Sequence, residues 1–118
     1  RPNSGAEQRD FVGLLNKKDF SDVTLMVEGK QIFGHQVILA SRSTYFEALF
    51  THDFSEKESR VVDFNDSGIS YDQLMQLLRH IYSDNIKIES KYIYDLLSLA
   101  DRYDIQSVKR KCEYIFAQ

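Results

Sequence analysis

Three histidines, one cysteine and several closely spaced carboxylates are the groups in this 118-residue chain that could carry chemistry. His35, His52 and His80 are isolated from one another and from Cys112, so none stands at the spacing that lets two side chains of one element grip a metal ion. Cys112 falls on an apolar helix face with Val108, Ile115 and Phe116. That placement reads as a buried structural thiol, and no spacing names a base to activate it. Asp63 and Asp66 flank a turn and suit Asx-type hydrogen bonds better than acid–base work. The five glycines are dispersed and form no phosphate-cradling run. Lys109-Arg110-Lys111 lies on the polar side of the last helix near its C-terminus, which predicts a solvated face that the helix dipole favours. No catalytic residue, metal ligand or cofactor is expected.

Composition narrows the class further. Apolar residues make up 42% of the chain and charged residues 28%, a globular balance that a disordered chain does not have. Fifteen basic and 18 acidic residues give a net charge of -3, without the positive excess that neutralises a nucleic-acid backbone. The lone Cys112 can form no internal disulfide, and no apolar run is long enough to span a bilayer. The expectation is a soluble intracellular protein, cytoplasmic or nuclear, with neither nucleic acid nor membrane as partner. Aromatic residues reach 13% without any Trp, and with no catalytic constellation beside them they point to a binding module.

The elements that must position these residues follow from periodicity. Residues 1–6, RPNSGA, read as a flexible lead-in, and residues 7–118 as a single domain. Phe11, Leu14 and Leu15 recur at i, i+3 and i+4, which predicts a short helix from about Glu7 to Lys17. Val23, Leu25 and Val27 alternate with Thr24, Met26 and Glu28 ahead of Glu28-Gly29, with Ile32 and Phe33 beyond, a β-hairpin pattern. Two short helices follow, Val37 to Ala40 and Tyr45 to Phe50, joined at Ser41 to Thr44, where Ser43 or Thr44 can cap the second. Arg60 to Phe64 is a strand candidate closed by the turn residues Asn65 to Gly68. Three amphipathic helices close the chain, opened by Ser70, Ser90 and Asp104, with a β-like piece Ile86-Lys87-Ile88 between the first two. Strands and helices are largely segregated, which predicts an α+β domain with a small sheet against a helical cluster.

The stretch FSDVTLMVEGKQIFGHQVILASRSTYFEALF, together with HIYSDNI and LLSLADRYDIQSVKRKCEYI, resembles the BTB/POZ domain family over about Asp10 to Ala117. The resemblance implies the fold just derived. It also implies assembly: members commonly homodimerise, and many recruit the cullin-3 N-terminal domain as adaptors of a ubiquitin ligase while another domain of the same polypeptide holds the substrate. The alternative within the family is a self-association module of a transcriptional regulator or scaffold, without cullin.

By the same resemblance, Phe11, Leu14, Leu15, Phe20 and Asp22 are dimer-interface candidates. For the N-terminal helix two readings stand open, burial by a second subunit or capping of the chain's own core. Gln36 occupies the place where members often carry a basic residue near Asp22, which removes an expected ion pair and leaves a possible hydrogen bond. No swapped N-terminal strand is expected, because RPNSGA is a poor strand former. Cullin-3 binding is implied for Phe50, Asp53, Phe54, Glu56 and Tyr82, centred on the hydrophobic-any-glutamate pattern Phe54-Ser55-Glu56. Phe54 is either an exposed anchor for that partner or a local staple folded onto Phe50 and Tyr45.

Overall fold

The structure, a computed structural model, describes residues 10–52 and 60–118. The expected hairpin is present as β1 (Val23–Val27) and β2 (Lys30–Gly34), paired antiparallel with Val23 opposite Gly34 and Val27 opposite Lys30. Its two-residue turn places both Glu28 (φ 51) and Gly29 (φ 74) in the left-handed region, the type I′ geometry that matches strand twist. Glu28 is an unfavourable residue there, and its side chain is used elsewhere: Oε1 accepts from the Tyr71 N–H at 2.6 Å.

The remaining strand, β3 (Arg60–Asp63), lies on the other side of β1 and runs parallel to it, giving the order β2-β1-β3. A parallel neighbour needs a crossover connection. Here α1 (Gln36–Arg42) and α2 (Thr44–His52) lie in that connection. Ser43 joins them, its hydroxyl accepting from the Phe46 N–H at 3.1 Å and donating to the Tyr103 carbonyl at 2.6 Å, so one buried side chain both caps α2 and ties it to the C-terminal helices. Thr44 takes no part in that cap; its hydroxyl donates to the Asp104 carboxylate.

Three longer helices complete the domain: α3 (Tyr71–Tyr82), α4 (Ile93–Arg102) and α5 (Gln106–Phe116). Ser70 opens α3 with a capping box, Oγ accepting from the Gln73 N–H at 3.0 Å while Gln73 Oε1 accepts from the Ser70 N–H at 2.9 Å. The other two expected caps fail. Ser90 begins a 3-10 turn, Ser90–Tyr92, that leads into α4, and α4 has no side-chain cap. Asp104 stands before α5 at φ 51 and accepts from Thr44 and from Gln106 Nε2 rather than from free backbone donors. Ile86-Lys87-Ile88 pairs with no strand among the described residues, so the expected β-like piece is a connector.

The core lies between the sheet and the helices: Leu25 and Ile32 from the sheet, Phe46 from α2, Leu74, Leu77 and Leu78 from α3, and Leu96 from α4 are all sealed from solvent. Phe46 is its aromatic hub, stacked on Phe50 and Tyr103 and meeting Phe64 edge-on. Cys112 is wholly buried on α5 as expected of a structural thiol, and burial pushes its pKa up. Tyr45, which opens the predicted helix Tyr45 to Phe50, is exposed on one side and rests edge-on against Tyr103.

Candidate interaction surfaces

The N-terminal segment is where the structure departs most from its predicted helix. From Asp10 onward it contains a single 3-10 turn, Val12–Leu14, and then winds through left-handed Asn16 (φ 56) and Phe20 (φ 61) into β1; the helix predicted from about Glu7 begins outside the described residues. Three anchors fix this path. The Phe11 N–H donates to the Tyr82 carbonyl at 2.7 Å, Asn16 Oδ1 accepts from the Phe33 N–H on the free edge of β2 at 2.9 Å, and the Asp19 carbonyl meets His35 Nε2 at 2.9 Å. The second contact closes part of a sheet edge that would otherwise be open to strand pairing.

His35 and Tyr82 form the buried post behind these anchors. The Tyr82 hydroxyl accepts from the His35 backbone N–H at 3.0 Å and lies 2.8 Å from His35 Nδ1. With Nε2–H donating to Asp19, Nδ1 is the acceptor and the tyrosine hydroxyl its donor, so every polar atom of the pair is satisfied. Tyr82 is 1% exposed and its phenol pKa is raised by burial. Tyr82 is therefore withdrawn from the cullin-binding set: a partner cannot touch its side chain, which instead holds the N-terminal segment in place.

The dimer candidates divide. Leu14 and Leu15 are half-buried and pack on this chain's own core, whereas Phe11 is 51% and Phe20 88% exposed. Phe20 combines a left-handed backbone with an almost fully exposed ring, a costly arrangement that its own burial does little to offset. Asp22 is exposed and accepts from the Gln36 N–H at 2.7 Å, while Gln36 Nε2 donates to the Asp22 carbonyl at 2.8 Å. The glutamine thus replaces an ion pair with a reciprocal hydrogen-bonded clasp. Beside it stands Val37, 77% exposed on the first turn of α1, an exposure that the sequence reading did not identify. The signal was available: Val37 to Ala40 are four consecutive apolar residues, and at 100° per residue one of them must face out.

On the cullin-binding side, Phe50 is 6% exposed and stacked on Phe46, so it is core first. Its edge still floors a shallow groove of about 390 Å³ walled by Gln36, Val37, Ala40, Glu47 and Thr51. Asp53, Phe54 and Glu56 lie outside the described residues. A separate polar hollow contains Glu47, Asp104, Arg42 and Arg110. Its Asp104 carboxyl is held below the usual carboxylate range by the Thr44 and Gln106 hydrogen bonds, and so ties α2 to α5 rather than offering a free base. Among the described residues no group of His, Cys, Asp and Glu could hold a metal ion, and no helix is long and apolar enough to cross a membrane.

Among the described residues, a three-stranded sheet packs with five α-helices, and aromatic side chains stand uncovered at the N-terminal face. The model of the BTB/POZ domain family matches residues 11–118, and the chain belongs to that family of protein–protein interaction domains. It is 34% identical over 113 residues to the Arabidopsis thaliana ARM repeat protein interacting with ABF2, covering 94% of this chain and 16% of the relative. It is likewise 34% identical over 106 residues to human Kelch-like protein 7, covering 86% of this chain and 18% of the relative. The chain therefore spans less than a fifth of either relative's length. The BTB domain of human gigaxonin has the same fold, with a TM-score of 0.70 at 24% identity over 84% of this chain and 80% of that one.

Proposed function

We propose that this domain homodimerises through its N-terminal face and recruits the cullin-3 N-terminal domain as the adaptor of a ubiquitin ligase, with substrate held by another part of the full-length protein. The observation that carries the cullin reading is Phe54-Ser55-Glu56, at the place where the family resemblance puts its hydrophobic-any-glutamate pattern. The groove floored by Phe50 supports it by leaving apolar surface just ahead of that segment. The names of the relatives, one an ARM repeat protein and the other Kelch-like, favour a substrate module outside the BTB domain.

A buried phenylalanine anchor is worth roughly 1.5–3 kcal/mol, so Phe54→Ala should weaken the complex about ten-fold or more. Titration calorimetry against the cullin-3 N-terminal domain tests this. Absence of heat for the wild type, or equal affinity for the Phe54→Ala and Glu56→Ala variants, sinks the adaptor reading. Exposed Phe11, Phe20 and Val37 independently favour self-association, which would persist without cullin. Sedimentation over a concentration series tests that part, and a monomer at tens of micromolar (about the range of a weak dimer) removes it.

A further inference from the structure

At the far end of the chain, the connector after α3 and the last turn of α5 enclose a groove of about 690 Å³ that contains none of the residues assigned to the dimer or to cullin-3. Its apolar floor is Ile86, Ile88, Ile93 and Ile115. The uncovered surface continues past it: Tyr94 and Tyr114 are exposed, as is Phe116, whose ring leans on that of Tyr94 at 5.2 Å. An apolar strip of this kind marks an interaction site rather than ordinary surface.

Cations outnumber anions among the residues that line the groove. Asp84 is the single carboxylate among the lining residues, and it is already engaged by Arg42 at 2.6 Å. Two lysines share the lining. Lys87 is exposed and makes no ion pair among the described residues. Lys111, which the sequence pattern assigns to a solvated face, is half-buried: Nζ donates to the Ile86 carbonyl at 2.8 Å and lies 3.3 Å from His80 Nδ1. His80 is buried and held neutral, its pKa lowered to about 4, so its ring nitrogen accepts. An ammonium carries three donors, and those two contacts leave one over. Burial pulls the Lys111 pKa down, against the opposing pull of nearby Asp84.

We propose that this groove docks an acidic amphipathic helix of another protein, whose apolar face fills the isoleucine floor while flanking carboxylates meet Lys87 and Lys111. A second copy of this chain fits worse. A two-fold interface built on this groove would gather four lysines around Asp84 residues that are already paired. An acidic helix supplies the missing charge and covers the aromatics in one step.

The test uses a fluorescein-labelled helical probe peptide with Leu at i, i+3, i+4 and i+7 and Glu on the flanks, and twins with Gln or Lys in place of Glu. Fluorescence anisotropy should show saturable binding of the Glu peptide, weakened about five-fold or more in the Gln twin and by Lys87→Glu, and lost with Ile115→Ser. Lys87→Glu should in turn improve binding of the Lys twin. Lys87 and Ile115 are exposed, so both variants should melt like the wild type by circular dichroism. Methyl resonances of Ile86, Ile88 and Ile115 should shift on titration with the Glu peptide. Failure of the Glu peptide to saturate, equal affinity of the Gln twin, or indifference to Lys87→Glu overturns the proposal. So does a shift of the same methyls with domain concentration alone, which would make a second copy the occupant.

Discussion

Replacing Tyr82 by Phe deletes one oxygen atom from the core and leaves the ring in place, so its effect isolates the post that holds the N-terminal segment. The oxygen accepts the His35 N–H at 3.0 Å and pairs with Nδ1 at 2.8 Å. In Tyr82→Phe both groups stay buried without a partner, and each such group costs about 1–3 kcal/mol. Because one hydroxyl serves both, the two costs overlap, and a total of about 2–4 kcal/mol is expected. An unfolding entropy of ~2.1 cal/mol/K per residue converts this, for a chain of this size, to about 4 °C per kcal/mol, hence a fall in Tm of about 8–16 °C. The loss should also be visible locally. Freed from Tyr82, the His35 ring loses its fixed orientation and with it the Asp19 contact, so amide exchange should quicken from Asn16 to Ser21. Thermal melts and hydrogen exchange measure the two effects. A double-mutant cycle with His35→Leu completes the test: the coupling should exceed about 1 kcal/mol. A fall in Tm below about 2 °C, or strict additivity of the two substitutions, would refute the assignment.

Further expectations concern acid stability, capping and the thiol. His80 has its folded pKa lowered to about 4, below its unfolded value of 6.5, so the unfolded chain binds the extra proton between these pH values. Stability should be complete above pH ~6.5 and fall by up to about 3 kcal/mol as pH drops toward 4, and His80→Gln should flatten that limb of a urea-denaturation series. Ser70→Ala removes half of the α3 capping box and should cost about 1 kcal/mol in the same assay, with Ser70→Gly costing less than a full capping loss. Cys112 should resist a thiol reagent such as dithionitrobenzoate in the native state at neutral pH and react fully once urea unfolds the chain; prompt native labelling would contradict its burial.

How much could be read in advance depended on the range of each interaction. The hairpin, the Ser43 link, the Ser70 box and the amphipathic faces of α3 to α5 rest on contacts within a few residues, and spacing displays such contacts directly. The misreadings share the opposite cause. Ile86-Lys87-Ile88 has strand composition, but a strand exists only through a partner that local sequence cannot name. Tyr82 lies in a helix whose apolar stripe was visible, yet its role comes from His35, 47 positions away. Lys111 belongs to a basic run that reads as solvated until Ile86 and His80 close over it. The predicted N-terminal helix gave way, from Asp10 onward, to a 3-10 turn and two left-handed residues because its anchors to Phe33, His35 and Tyr82 outweigh a short helix that is marginal by itself.

By itself the sequence determined the family, the α+β class, the order of most elements and the absence of any motif for catalysis at readable spacing, because composition and short-range periodicity carry that information. Tertiary structure alone decided that β3 runs parallel to β1 across two helices, that Tyr82 and Phe50 are core while Phe20 and Val37 face outward, and that two lysines meet an isoleucine groove. These are pairings over tens of residues, set by which surfaces exclude water together, and chain-local spacing holds no record of them.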